Sequence, residues 1–170
     1  LEGVLLMELI TDEDGNVAPR LSEVAMSAEQ AIEDHDLVMK YVSRMLCAGI
    51  VHGDLSEFNV LVDEYGPVII DMPQAVNAAA NNNAQSMLLR DVDNMKTYYG
   101  QFAPSLLNSK YGKEIWALYE EGDLTPETEL TGLFEDPTES ADVDGVLHEI
   151  MAAMAEEEER LERIREAEED

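Results

Sequence analysis

From residue 27 the apolar positions take a helical period. Leu37, Val38, Tyr41, Val42, Met45 and Leu46 recur at i, i+1, i+4, i+5, i+8 and i+9, one face of a helix for which Gly49 supplies a C-cap. Ahead of it, residues 4–10 are a short apolar run followed by the turn-forming "TDEDGN", which predicts a strand entering a loop. Pro19 keeps a helix from starting earlier. After the helix, "NVLVDEYGPVIID" reads as two short strands joined around Tyr65 and Gly66, with Pro67 opening the second. The Asn-rich "NAAANNNAQ" is a connector or helix entry.

Two further amphipathic stripes follow: Leu88, Val92, Met95, Tyr99 and Phe102, then Leu107, Tyr111, Ile115, Leu118 and Tyr119, ended by Gly122. Core packing explains both stripes better than a cofactor box does. Thr125, Pro126 and Glu127 have the order of N-cap, first helical position and acidic first turn. A last helix is expected from about Asp142, with Val143, Leu147, Ile150 and Met154 on one face, then Leu161 and Ile164 beyond a Glu run. Its early part can pack, and its end should be a solvated acidic tail or a docking element. No internal repeat is visible.

Charge changes this picture. The chain has 170 residues with 38 Asp and Glu against 10 Lys and Arg, a formal net charge of −28 at pH 7. Phosphate contacts need clustered cations, so direct DNA binding is not expected. The excess sits mostly in the C-terminal half, since residues 114–159 contain no Lys or Arg. At this length, with 45% hydrophobic residues, a core burying roughly 70% of the unfolded surface is within reach.

Cys47 is the single cysteine. It excludes an internal disulfide framework, fits a reducing cytoplasm and reads as a small buried hydrophobe. No apolar stretch is long enough to span a bilayer and the start lacks signal-peptide character, so a soluble, cytoplasmic protein is expected. A start at Leu1, directly on the strand-like run, suggests a fragment.

The densest polar set is "IVHGDLSEFN" at residues 50–59. His52, Asp54 and Asn59 fall in a loop between a helix end and the hairpin, and Asp71 closes the hairpin's second strand. Antiparallel strands bring the residue entering the first beside the residue leaving the second, so Asn59 and Asp71 should be neighbours. An amide oxygen and a carboxylate suit Mg²⁺, which takes few protein ligands and completes its shell with water and phosphate. Asp54 would lie across from the metal, where it can accept or orient the proton of an attacking hydroxyl. His52 reads as loop scaffolding. His35 and His148, in acidic helical contexts, read as solvated or capping, and Arg90 reads as half of a weak surface ion pair.

The spacing H-x-D-x-x-x-x-N followed by D is the arrangement of catalytic and metal loops in protein-kinase-like folds. "IVHGDLSEFNVL" with "VIIDMPQAV" resembles the RIO family of atypical serine/threonine protein kinases, and "VLLMELI" with "APRL" and "LLRDVDNMKTYY" extend the likeness over residues 4–102. The resemblance implies an α+β, mostly helical fold: a protein-kinase-like C-terminal lobe with a catalytic-loop hairpin and part of the hinge. Its domain would be residues 1–122, with hinge segment 4–10, and residues 123–170 would be an acidic helical extension.

Carried over residue by residue, the resemblance makes Asp54 the catalytic aspartate and Asn59 and Asp71 the metal ligands. Asp71 is also implicated as a phosphoacceptor in an ATPase-like cycle. Ser56 would lie near the phosphates, Met7, Glu8 and Ile10 at the gatekeeper and hinge holding adenine, and Leu61 and Ile70 beneath it. Asp91 would brace the catalytic loop. ATP and Mg²⁺, with Mn²⁺ as a substitute, are the implied cofactors, and the protein substrate is unknown, with a ribosome-associated setting implied by the family.

The glycine-rich phosphate loop and strand lysine of such kinases are absent from these residues, so a bare C-terminal lobe is expected to lose most of its rate. Two alternatives stay open: a small-molecule phosphotransferase of the aminoglycoside or choline type, and a nucleotide-gated assembly factor with slow hydrolysis.

Overall fold

The computed structural model describes residues 6–136. The chain divides into two compact units, Leu1–Leu133 and Phe134–Asp170. In the first, three helices, α1 (Ala28–Cys47), α2 (Ala84–Gly100) and α3 (Tyr111–Glu121), pack around one core. Four short strands accompany them: β1 (Ile50–Val51), β2 (Val60–Asp63), β3 (Gly66–Ile69) and β4 (Val76–Asn77). They form two antiparallel sheets, β1 with β4 and β2 with β3.

Helix α1 starts where Ser27 Oγ accepts the Gln30 N–H at 3.2 Å, satisfying a donor that the first turn leaves unpaired. Ser27→Ala should therefore cost about 1 kcal/mol, read as a lower urea midpoint at unchanged slope. At the other end Ala48 is the cap, one position earlier than the pattern placed it, and Gly49 follows it at φ +79°. The buried stripe is also turned from the expected one. It runs through Ala31, Asp34, His35, Val38, Met39, Val42, Ser43 and Leu46, leaving Leu37, Tyr41 and Met45 half-buried. Three polar residues lie on that face, so apolarity alone found Val38, Val42 and Leu46 and missed Asp34, His35 and Ser43.

His35 was expected to be solvated and is fully buried, between the rings of Tyr99 and Tyr111 with centroids at 5.8 and 5.1 Å. Cys47 departs in the opposite sense: it ends α1 one position beyond the buried Leu46 and off the buried stripe, so the thiol is exposed, with its Sγ 3.6 Å from the Leu124 carbonyl.

Hairpin β2–β3 has the register Val60↔Ile69 to Asp63↔Gly66, with Glu64 and Tyr65 as the turn. Val60 is fully buried, while Leu61 and Val68, paired with each other, face away from it. Pro67 cannot donate to Val62, and the Val62 N–H itself donates outward to the Pro19 carbonyl at 2.9 Å. That bond and a bridge between Arg20 and Leu61 fasten residues 19–20 along β2.

Three expected elements differ. Residues 6–10 form no strand; Ile10 accepts from the Ala18 N–H and Thr11 bridges Val17, but among the described residues none pairs with residues 6–9 to complete a ladder. Leu107 belongs to a 3-10 turn, Pro104–Asn108, ahead of α3 and is exposed. Thr125, Pro126 and Glu127 make a single turn, in which Thr128 Oγ1 takes the Thr125 N–H at 2.8 Å, and no helix follows. Leu124 and Leu130 nevertheless pack on the core and the Lys110 N–H donates to the Gly132 carbonyl, which ties residues 123–133 to the first unit. The expected helix from Asp142, with His148, lies outside the described residues.

Candidate functional site

The loop between β1 and β2 is held by its backbone. Asp91, buried on α2, accepts the Gly53 N–H at 2.7 Å on one carboxylate oxygen and the Leu55 N–H at 3.0 Å on the other. Burial pushes its pKa up, and the two backbone donors oppose that shift. Two α2 neighbours hold the same residues through their carbonyls: Arg90 Nη2 donates to Gly53 O, and Asn94 Nδ2 donates to Leu55 O at 3.0 Å. Arg90 is thus a loop clamp, where a surface ion pair was expected. Asn94 was missed in the sequence, although "RDVDN" puts Arg90, Asp91 and Asn94 within reach of one helix face at i, i+1 and i+4.

Gly53 makes this geometry available. Its φ is +85°, and a Cβ there would lie 2.6 Å from Met87 Cε and 2.9 Å from the Gln74 carbonyl oxygen. Leu55 is fully buried and pins the loop from below, so the Asp54 side chain between them is left exposed to solvent.

His52 ties the loop to the end of the hairpin. Its Nδ1 accepts the Asp54 N–H at 3.2 Å, which leaves the proton on Nε2 to be donated to the Ile70 carbonyl at 2.9 Å. Both ring nitrogens are engaged in positioning.

Asn59 stands at the entry of β2. Its backbone carbonyl accepts the Ile70 N–H at 2.9 Å, so Asp71 follows directly on the residue opposite Asn59. The Asn59 Nδ2 donates to the Asp54 carbonyl at 2.7 Å. That bond fixes the amide and leaves Oδ1 as an acceptor. Asp71 is exposed and has φ 65° and ψ 58°, the one non-glycine residue with positive φ among the described residues. Aspartate tolerates this conformation better than most residues, yet it still costs about 1 kcal/mol or more. Such strain at a carboxylate leaving a strand is typical of a ligand-holding position.

Asn59 Oδ1 and the Asp71 carboxylate are a hard-oxygen pair that fits Mg²⁺ or Mn²⁺, cations that keep most of their shell for water and phosphate. Among the described residues no group of three or more His, Cys, Asp or Glu side chains is placed to hold a metal ion. Ser56 is half-buried, and its carbonyl accepts the Asn59 N–H at 3.0 Å, closing the turn into β2. Leu61 and Ile70 are half-buried and lie on the hairpin face opposite Val60. Ile10 joins this group indirectly, through Ala18 and the segment leading to Arg20. Met7, 58% exposed, and Glu8, also exposed, are not drawn in by any hydrogen bond of this hairpin.

The RIO domain family matches residues 1–111. The RIO-type serine/threonine-protein kinase Rio1 of Haloferax volcanii is 40% identical over 96 residues, covering 56% of this chain and 32% of the relative. Rio2 of Methanocaldococcus jannaschii is 40% identical over 78 residues, 45% of this chain and 28% of the relative. Human serine/threonine-protein kinase RIO1 is 37% identical over 97 residues, 56% of this chain and 17% of the relative. The class is therefore a protein-kinase-like fold. The chain belongs to the RIO domain family and spans about a third or less of the length of these relatives. No helix among the described residues is long and apolar enough to cross a membrane.

Proposed function

We propose that residues 1–133 are the C-terminal lobe of an ATP-dependent RIO-type serine/threonine protein kinase or ATPase working in the cytoplasm. The reading rests chiefly on the Asn59 amide. Its nitrogen is committed to the Asp54 carbonyl, so its oxygen and the strained Asp71 carboxylate form a donor pair beside a rigid loop that presents Asp54 to solvent.

In this mechanism Asp54 accepts and orients the proton of the attacking hydroxyl, while Asp91, Arg90 and Asn94 hold its backbone in place. Rigid placement is what phosphoryl transfer requires of the protein, because most of its catalysis is positioning and charge stabilisation. Asn59 and Asp71 would hold Mg²⁺, whose charge offsets that of the phosphates. Leu61 and Ile70 offer an apolar face to adenine, with Met7, Glu8 and Ile10 as the hinge and Ser56 near the phosphates. The names of the relatives, serine/threonine-protein kinases, support a hydroxyl acceptor on protein. ATP and a divalent cation are the cofactors of this reading.

Water-proton relaxation with Mn²⁺ and ATP tests the metal pair without requiring turnover. The wild-type chain should bind the Mn²⁺–ATP complex. Asp71→Asn should weaken binding at least tenfold, equivalent to about 1.4 kcal/mol, while Asp54→Asn should stay within about twofold. Equal binding by wild type and Asp71→Asn would remove Asp71 from the metal site.

A further inference from the structure

Helix α2 makes one more polar contact with the segments that frame the loop. The buried Tyr98 hydroxyl donates to the Leu21 carbonyl at 2.6 Å, across 77 residues of sequence. Arg90, Asn94 and Tyr98 recur at i, i+4 and i+8, so they share one helix face, with Asp91 beside them. The bonds of Arg90, Asp91 and Asn94 end at Gly53 and Leu55. Residues 56–59, the half of the loop that leads to Asn59, are held from elsewhere. Burial pushes the Tyr98 pKa up, and the nearby Glu57 carboxylate adds to that, so the hydroxyl keeps the proton it donates.

Peptide geometry carries the contact onward. The Leu21 carbonyl and the Ser22 N–H belong to one planar trans peptide and point in opposite directions. Tyr98 takes the carbonyl side, and on the other side the Ser22 N–H donates to the Glu57 carbonyl at 3.1 Å. Glu57 is the second residue of the turn that the Asn59 N–H closes on the Ser56 carbonyl at 3.0 Å. Its carbonyl belongs to the central peptide of that turn, and the two common turn types differ by a flip of this peptide. The Ser22 bond therefore selects one turn geometry, and with it the direction in which Asn59 enters β2.

Bonds within the short 3-10 turn Leu21–Glu23 shape it without placing it: the Glu23 N–H donates to the Arg20 carbonyl, and the Val24 N–H shares the Leu21 carbonyl with Tyr98. Placement comes from Val62 on the Pro19 carbonyl, from the fully buried Leu21 side chain and from Tyr98. Of these three, Tyr98 acts on the peptide that meets Glu57. We propose that Tyr98 is a positioning residue for Asn59: its hydroxyl orients the Leu21–Ser22 peptide, that peptide sets the turn from Ser56 to Asn59, and the turn keeps the Asn59 amide oxygen on the side of Asp71. The proposal rests on the reading of Asn59 and Asp71 as a metal pair.

Tyr98→Phe removes the hydroxyl and keeps the ring, which packs against Tyr99 and Phe102 with centroids at 5.7 Å in both cases. Ser27→Ala, at the start of α1, controls for lost stability alone. Amide hydrogen exchange of the whole chain, read by NMR, should show the Ser22 and Asn59 N–H groups exchanging about tenfold faster in Tyr98→Phe. The Gly53 and Leu55 amides, which Asp91 holds, should stay within about threefold of wild type. Binding of Mn²⁺–ATP, followed by water-proton relaxation, should weaken about fivefold in Tyr98→Phe and keep its wild-type strength in Ser27→Ala.

Unchanged protection of Ser22 and Asn59 in Tyr98→Phe overturns the proposal. So does faster exchange of all four amides alike, because the hydroxyl would then contribute only to overall stability. The two readings fail separately. If Asp71→Asn loses Mn²⁺–ATP while Tyr98→Phe keeps it, the positioning role falls and the metal pair stands. If wild type and Asp71→Asn bind alike while Ser22 and Asn59 alone lose protection, the metal pair falls and Tyr98 still sets the turn.

Discussion

Asp91→Ala should lower the stability of the first unit by about 4 kcal/mol. The carboxylate is buried and accepts the Gly53 and Leu55 N–H groups, and neither amide has another acceptor within the loop. Removing it strands two buried donors, each costing about 1–3 kcal/mol. For a unit of this size that corresponds to a fall in melting temperature of roughly 10–20 °C. Asp91→Asn should recover no more than half, because one oxygen can still accept while the new NH2 faces the second N–H. Calorimetry of the three proteins decides it. An alanine variant melting within about 3 °C of wild type would mean that Arg90 and Asn94 hold the loop without Asp91. The prediction links fold and site, since the same bonds fix the backbone that carries Asp54.

What could be read from the sequence follows how local each signal is. The hairpin was legible because alternation and the turn around Tyr65 and Gly66 lie within one short stretch, and its register follows from them. The three helices were legible as periods, but the orientation of α1 was not, since Asp34, His35 and Ser43 occupy its buried face. His35 owes its environment to Tyr99 on α2 and Tyr111 on α3, elements remote in sequence. Thr125, Pro126 and Glu127 carry a start signal with no helix behind it; a cap stabilises a helix that packing already favours and does not create one.

Within the site, residue types and spacing pointed to Asp54, Asn59 and Asp71 and to His52 as scaffolding, and the family resemblance to Asp91 as a brace, whereas the supporting roles of Arg90 and Asn94 needed coordinates. Neither the left-handed backbone of Asp71 nor the contact of Arg90 with the Gly53 carbonyl is written in any short motif.

Acid should weaken the first unit through His35, by about 2 to 3 kcal/mol on lowering the pH from 7.5 to 4.5. The imidazole is fully buried, neither ring nitrogen has a hydrogen-bond partner, and burial pulls its pKa down to about 4. The nearby Asp36 carboxylate, 4.0 Å from Nδ1, opposes that shift, and Lys96 adds to it. In the unfolded chain the group titrates near 6.5. Below that pH the unfolded state takes up a proton that the folded state refuses, so stability present above 6.5 is lost as the pH falls towards 4 and levels off below it.

The buried Asp34 and Asp91 carboxylates act in the opposite sense. Burial raises the pKa of both, so the folded state binds their protons first and gains stability as the pH falls through their folded pKa values. A difference measurement separates the terms. His35→Leu removes the titrating group, replaces two unpartnered nitrogens with hydrocarbon, and should cost less than about 1.5 kcal/mol near neutrality. Urea unfolding of both proteins from pH 7.5 to 4.5 should show the wild type losing ground steadily against the variant. Parallel curves would mean that His35 is protonated in the folded state as readily as in the unfolded one, and that its pocket between Tyr99 and Tyr111 admits charge.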